Sequence, residues 1–230
     1  MRRRELGLAL VCVFAMATAA AAEVKMPSLF GDGMVLQQGE PVPVWGWADA
    51  DAKVTVAFAG QEKSATACGE GKWTVTLKPL ETSTKPATMT VTSGDDEVKI
   101  ENVLVGEVWI CSGQSNMEWP VGACNSPDDV AAADYPLIRH VKVPHKPSSE
   151  PLDDFQGSWT VCTPKTVPSF TAAGFFFARA LHEELGVPVG LVNSSWGGTR
   201  VEPWVPPCGF AAVEPLEEMA EKEYDAKNHQ

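Results

Sequence analysis

Ser115 lies in the run Ser112-Gly113-Gln114-Ser115-Asn116, small and polar residues directly after the mostly apolar stretch Val103 to Cys111. A buried strand that ends this way hands its last side chains to a tight loop, which is where sheet proteins often place their chemistry. A serine hydroxyl attacks an acyl carbon only when a base takes its proton and fixed donors hold the oxyanion that forms. Gly113 permits the sharp turn before Ser115, and the serine's own N–H is available as one donor. The motif is not G-x-S-x-G, because Met117 occupies the second glycine position, so the nucleophile elbow of α/β-hydrolases is not matched. A second loop of the same character, Ser194-Ser195-Trp196-Gly197-Gly198-Thr199, follows the apolar segment Val187 to Asn193.

The side chains around these loops offer donors more readily than bases. Gln114, Asn116 and Asn193 carry amide N–H groups that need no titration to donate, although the same groups serve equally well to pin loops. The histidines are His140, His145, His182 and His229. His182 falls on a predicted helix, His229 on a polar tail, and His140 and His145 have prolines nearby and no carboxylate orienter in sequence, so none is assigned as the base.

The elements that must position these loops divide the chain in two. From Val35 to about Val103, period-2 alternation recurs at Val54, Val56 and Phe58, at Trp73, Val75 and Leu77, at Met89 and Val91, and at Val98 and Ile100. Turn residues at Gly69 to Gly71, Pro79, Pro86 and Ser93-Gly94-Asp95-Asp96 separate the runs, which predicts a β-sandwich over residues 23–103. Past Val103, strands are expected at Val103 to Cys111, Leu137 to Val143 and Val187 to Asn193. Phe170 to Leu185 is expected as a helix, capped by Ser169 or Thr171 and ended by Gly186. Strand, loop, strand, helix, strand opens a parallel α/β sheet over residues 104–230, with active residues at the carboxyl ends of strands. A doubly wound sheet needs more strands than these residues supply, so the chain reads as cut short. The polar stretch Glu214 to Gln230 reads as a helix with too few apolar positions to close a core.

Leu6 to Ala20 is an apolar run behind Arg2, Arg3 and Arg4, and it ends in the small residues Ala19 to Ala22, the layout of a secretory signal peptide cleaved before Glu23. The run is shorter than the ~20 residues that span a bilayer. The expectation is therefore a secreted or periplasmic protein with no stable membrane insertion. Loss of residues 1–22 removes three Arg and one Glu and takes the formal charge from −12 to −14. The lack of a basic cluster argues against nucleic acid, and no nucleic-acid partner is expected. Cys68, Cys111, Cys124, Cys162 and Cys208 would remain, an odd number without C-x-x-C or zinc-like spacing; one or two disulfides are permitted, with Cys111 and Cys162 read as small buried hydrophobes. No metal, nucleotide or flavin motif is present, and no cofactor is expected.

The run Gly106-Glu107-Val108-Trp109-Ile110-Cys111-Ser112-Gly113-Gln114-Ser115-Asn116-Met117-Glu118-Trp119-Pro120 resembles the nucleophile block of sialate O-acetylesterases, within the SGNH (GDSL-like) hydrolases. Phe170 to Trp204, Trp159 to Cys162 and Met34-Val35-Leu36-Gln37-Gln38 resemble the same family, in the same order. The resemblance implies a three-layer α/β hydrolase domain, incomplete here, behind the β-rich leader. It implies removal of O-acetyl groups from sialic acid or related sugars through an acyl-enzyme on Ser115. The Ser115 N–H, Gly197 or Gly198, and Asn193 would form the oxyanion hole. Which glycine donates stays open. Gln114, Asn116, Glu118, Arg200, Glu202 and Trp196 would meet the sugar, with Trp119 and Trp204 as further stacking surfaces. Family members take their base from a late Asp-x-x-His segment that these 230 residues lack, so this chain alone is expected to turn over acetyl esters very poorly. Acetylated xylan is the alternative substrate, and a non-catalytic carbohydrate-binding module the alternative class.

Overall fold

The computed structural model describes residues 23–148, 151–206, 208–209 and 212–213. The expected signal peptide, His229 and the helix expected over 214–230 lie outside the described residues. Six strands come first: β1 (Val35–Gln37), β2 (Val42–Trp47), β3 (Lys53–Phe58), β4 (Gln61–Thr66), β5 (Lys72–Leu77) and β6 (Ser83–Ser93). The long β7 (Asp96–Gly113) leads into α1 (Ser115–Glu118), α2 (Pro127–Ala131), β8 (Tyr135–Lys142), β9 (Thr160–Cys162), α3 (Ala172–Leu185) and β10 (Val189–Ser195). The fold is mixed α/β, dominated by sheet and with few helices, consistent with an SGNH-like architecture.

One sheet runs in the order β4-β3-β6-β7-β10-β8-β9, with β1 also paired to β7, and β2 and β5 form a separate antiparallel pair. Pairing among β4, β3, β6 and the first half of β7 is antiparallel, whereas β10 runs parallel to both β7 and β8. The strand β7 is therefore shared by both kinds of sheet. Sequence periodicity suggests two strands, Val98 to Ile100 and Val103 to Cys111, but they are one strand of 18 residues. Asn102, at φ 57°, breaks the alternation without ending the strand, because a short amide side chain tolerates the left-handed region.

Apolar burial follows this division. Val44, Val54, Val56, Leu77, Met89 and Val91 from the first six strands pack with Ile100, Val103 and Val105 of β7. Val141 and Trp159 join the same cluster from the second half. A second cluster lies under α3, where Phe170, Phe175 and Ala178 cover Cys111, Ile138, Val189 and Leu191. The helix is bounded as its sequence predicts. Thr171 Oγ1 accepts the Gly174 N–H at 3.3 Å at its start, and Gly186 ends it at φ 68°.

Between the two clusters, Arg139 of β8 is 4% exposed and donates from Nε to the Pro136 carbonyl at 2.9 Å and from Nη2 to Asn102 Oδ1 at 3.3 Å. Gly106 marks a second tight junction, with Glu107 N–H donating to the Pro188 carbonyl at 2.9 Å. A Cβ at Gly106 would press into that same carbonyl oxygen. Since the obstacle is backbone, G106A is expected to cost about 3 kcal/mol of stability, read as a lowered midpoint in urea unfolding.

His140, on the α3-facing side of β8, is buried and stacks on Phe170 with ring centroids 4.4 Å apart. Burial, assisted by the charge on Lys142, pushes its pKa from 6.5 down to about 4. The folded protein keeps this imidazole neutral while the unfolded chain protonates it below pH 6.5, so stability is complete above that pH and falls as pH drops toward 4. Unfolding in urea at pH 5 should show about 2 kcal/mol less stability from this group than at pH 7, and H140L should remove that part of the slope.

Candidate active site

The carboxyl ends of β7, β8 and β10 lie side by side, because β10 sits between the other two. In register, Ser195 of β10 pairs with Gly113 of β7, and Asn193 pairs with both Cys111 and Lys142. Three loops therefore leave the sheet at one edge. The first turns at Gly113 (φ 142°) into the single helical turn Ser115–Glu118. Thr171 Oγ1 donates to the Met117 carbonyl at 2.5 Å and so ties this turn to the start of α3. The second loop is tied to the first by the Trp196 N–H, which donates to the Gly113 carbonyl at 2.9 Å.

Ser115 is exposed, and its hydroxyl makes no hydrogen bond among the described residues. A Cβ built on Gly197 would lie 3.2 Å from Ser115 Oγ and 3.0 Å from Glu118 Oε2, so a side chain there would crowd both groups. The Gly197 N–H is taken: it donates to Glu118 Oε2 at 2.6 Å. Gly198, at φ 79° and exposed, has an N–H with no partner among the described residues. The two glycines thus differ in what their amides can offer.

Glu118 joins all three loops. Its Oε1 lies 2.8 Å from His145 Nε2 and 3.1 Å from Lys142 Nζ. Its own burial would raise its pKa, but the Gly197 N–H, the Lys142 hydrogen bond and the charges of His145 and Lys142 together hold it below the ordinary carboxylate value. His145 Nε2 also lies 3.1 Å from the Ser195 carbonyl. Both neighbours of Nε2 are acceptors, which assigns the proton to that nitrogen. The imidazole lies flat on Trp196, 4.4 Å away with an interplanar angle of 1°.

The other expected residues have mixed placements. Asn193 is buried, and its Oδ1 accepts from the Ser195 hydroxyl at 2.6 Å. Gln114 Nε2 donates to the Thr199 carbonyl at 2.8 Å and so pins one loop to the other. Asn116 and Arg200 are exposed at the rim, as are Trp119 and Trp204. Trp204 Nε1 donates to Thr199 Oγ1, which in turn donates to the Trp196 carbonyl. Glu202 lies in a short 3-10 turn beside Trp204.

Sequence spacing gave no hint of Lys142 and His145, which lie 24 and 27 positions from Glu118. Their place at and just past the end of β8 was the available signal, since parallel neighbours deliver their carboxyl ends to one edge. His182 is remote, with Nδ1 bonded to the Val187 carbonyl at the end of α3. Cys68, Cys111, Cys124, Cys162 and Cys208 are all free thiols, and no cluster of three or more His, Cys, Asp or Glu among the described residues is arranged to hold a metal.

The family model for carbohydrate esterases described as sialic acid-specific acetylesterase matches residues 105–228. Sialate O-acetylesterase from Mus musculus is 34% identical, over 86% of this chain and 40% of its own length. The Homo sapiens protein of that name is 31% identical, over 86% of this chain and 42% of its own. The crystal structure of a carbohydrate acetylesterase from Xanthomonas citri superposes with a TM-score of 0.79 at 39% identity, covering 82% of this chain and 44% of that one. The chain spans about two fifths of the length of the curated relatives it matches. On the match over more than half of its residues, this chain belongs to the sialic acid-specific acetylesterase family of carbohydrate esterases.

Proposed function

We propose that the protein removes O-acetyl groups from sialic acid or a related acetylated sugar, with Ser115 as the nucleophile. The observation that carries this reading is an exposed serine hydroxyl, without a hydrogen bond among the described residues, just past the end of β7 and close to Gly197. In the proposed reaction Ser115 Oγ bonds to the acetyl carbon, the sugar oxygen leaves with a proton, and water then releases acetate from the serine. Negative charge on the carbonyl oxygen would fall beside the N–H groups of Ser115 and Gly198. Since the Gly197 N–H is engaged by Glu118, the reading assigns the second donor to Gly198. The exposed faces of Trp119 and Trp204 suit a sugar ring.

Ser115 lacks a base among the described residues, so the reading includes a proton acceptor supplied from elsewhere in the polypeptide. Acetate release from acetylated sialic acid by the natural polypeptide that contains this sequence tests it. S115A should lower kcat by about 10³-fold or more, and near-normal activity in that variant would defeat the assignment. The 230 residues alone should release acetate very poorly.

The same reading places the protein outside the cytoplasm, exported by residues 1–22, with residues 23–103 as a β-sandwich accessory unit. Amino-terminal sequencing of protein recovered from the exported fraction should begin at Glu23. A start at Met1 would count against export by cleavage.

A further inference from the structure

We propose that Glu118 is a positioning residue that fixes the glycine loop against Ser115, and that it is not a ligand for the sugar. The proposal rests on the esterase reading for its meaning in catalysis, but the clamp itself can be read without any activity.

The geometry leaves this carboxylate little to offer a substrate. One oxygen accepts the Gly197 N–H at 2.6 Å, and the other faces Lys142 Nζ at 3.1 Å and His145 Nε2 at 2.8 Å. Those three groups come from three separate segments: the loop after β10, the end of β8, and the segment that follows β8. Glu118 itself ends the helical turn that begins with Ser115. One carboxylate thereby binds the nucleophile's own turn to both neighbouring loops. His145 extends the clamp, because the imidazole that meets Glu118 also meets the Ser195 carbonyl and covers Trp196. The backbone around Gly197, at residues 195, 196 and 197, is thus held from two sides.

The consequence for the ester is one of aim. With the Gly197 N–H held on Glu118, the Trp196–Gly197 peptide is anchored, which limits how far the Gly198 N–H one residue on can wander. Removing the carboxylate would free the Gly197 amide and let the loop drift. Drift of about 1 Å in a site of this kind costs about 10²-fold in rate.

Two measurements decide the matter. In ¹H–¹⁵N spectra of this 230-residue chain, the Gly197 amide proton should move upfield as acid protonates Glu118, with a midpoint below the ordinary carboxylate range. The groups facing Glu118, namely Lys142, His145 and the Gly197 amide, all act in that direction. E118Q should abolish the titration while leaving the rest of the spectrum in place; persistence of the titration in E118Q would overturn the clamp. In the natural polypeptide, E118A should lower kcat about 10²-fold for both an acetylated sugar and 4-nitrophenyl acetate, with KM nearly unchanged. E118Q, which can still accept the Gly197 N–H, should recover part of that loss. A raised KM for the sugar alone, with the aryl ester unaffected, would make Glu118 a sugar ligand and sink the proposal. If S115A is as active as the parent, the esterase reading fails, whereas the amide titration still reports on the clamp.

Discussion

The sheet hydrogen bonds of β7 are the constraint on which the rest of the molecule depends. Over its first half the strand is held by β6 in antiparallel register, and over its second half by β10 in parallel register. At about 3.3 Å per residue, 18 residues can carry the chain up to about 60 Å without a flexible joint. Ser115 stands two residues beyond its end. The position of that hydroxyl is set by ladder hydrogen bonds anchored in a different part of the molecule.

At the far end of the ladder, electrostatics takes over from pairing. Loops leaving a parallel sheet have no neighbouring strand to satisfy their backbone, and here Glu118 takes up one of the freed N–H groups. Charge-assisted bonds of this kind are stronger than neutral ones. The exposed part of the cluster is open to screening by salt. The stack of His145 on Trp196 adds apolar contact to the same junction, so the loops are not held by charge alone.

How much of this was legible in the sequence differed by element. The α3 helix was readable almost to the residue, because its apolar period, the Thr171 cap and the Gly186 stop all agree. Strands β3 and β5 showed themselves through alternation of buried and exposed side chains. β4, Gln61-Glu62-Lys63-Ser64-Ala65-Thr66, has no apolar face to announce it; it is an edge strand held by pairing with β3. The continuity of β7 was hidden by Asn102, whose bulge looks like a turn in a one-dimensional pattern. Ser115 and the paired glycines carry a readable motif, whereas the partnership of Glu118 with His145 depends on which strand lies beside which. That is a fact of sheet order, and local spacing does not encode it.

Arg139 gives the two halves of the molecule a shared fate. Its guanidinium reaches from the parallel sheet to the bulge at Asn102, and Val141 and Trp159 carry apolar surface across the same divide. A chimera that kept the serine-bearing half and replaced the leading strands with those of another protein would strand a buried cation and expose the inner side of β8. Recombination at this point is therefore expected to be selected against, and the leading β-strands should be inherited together with the loops they support.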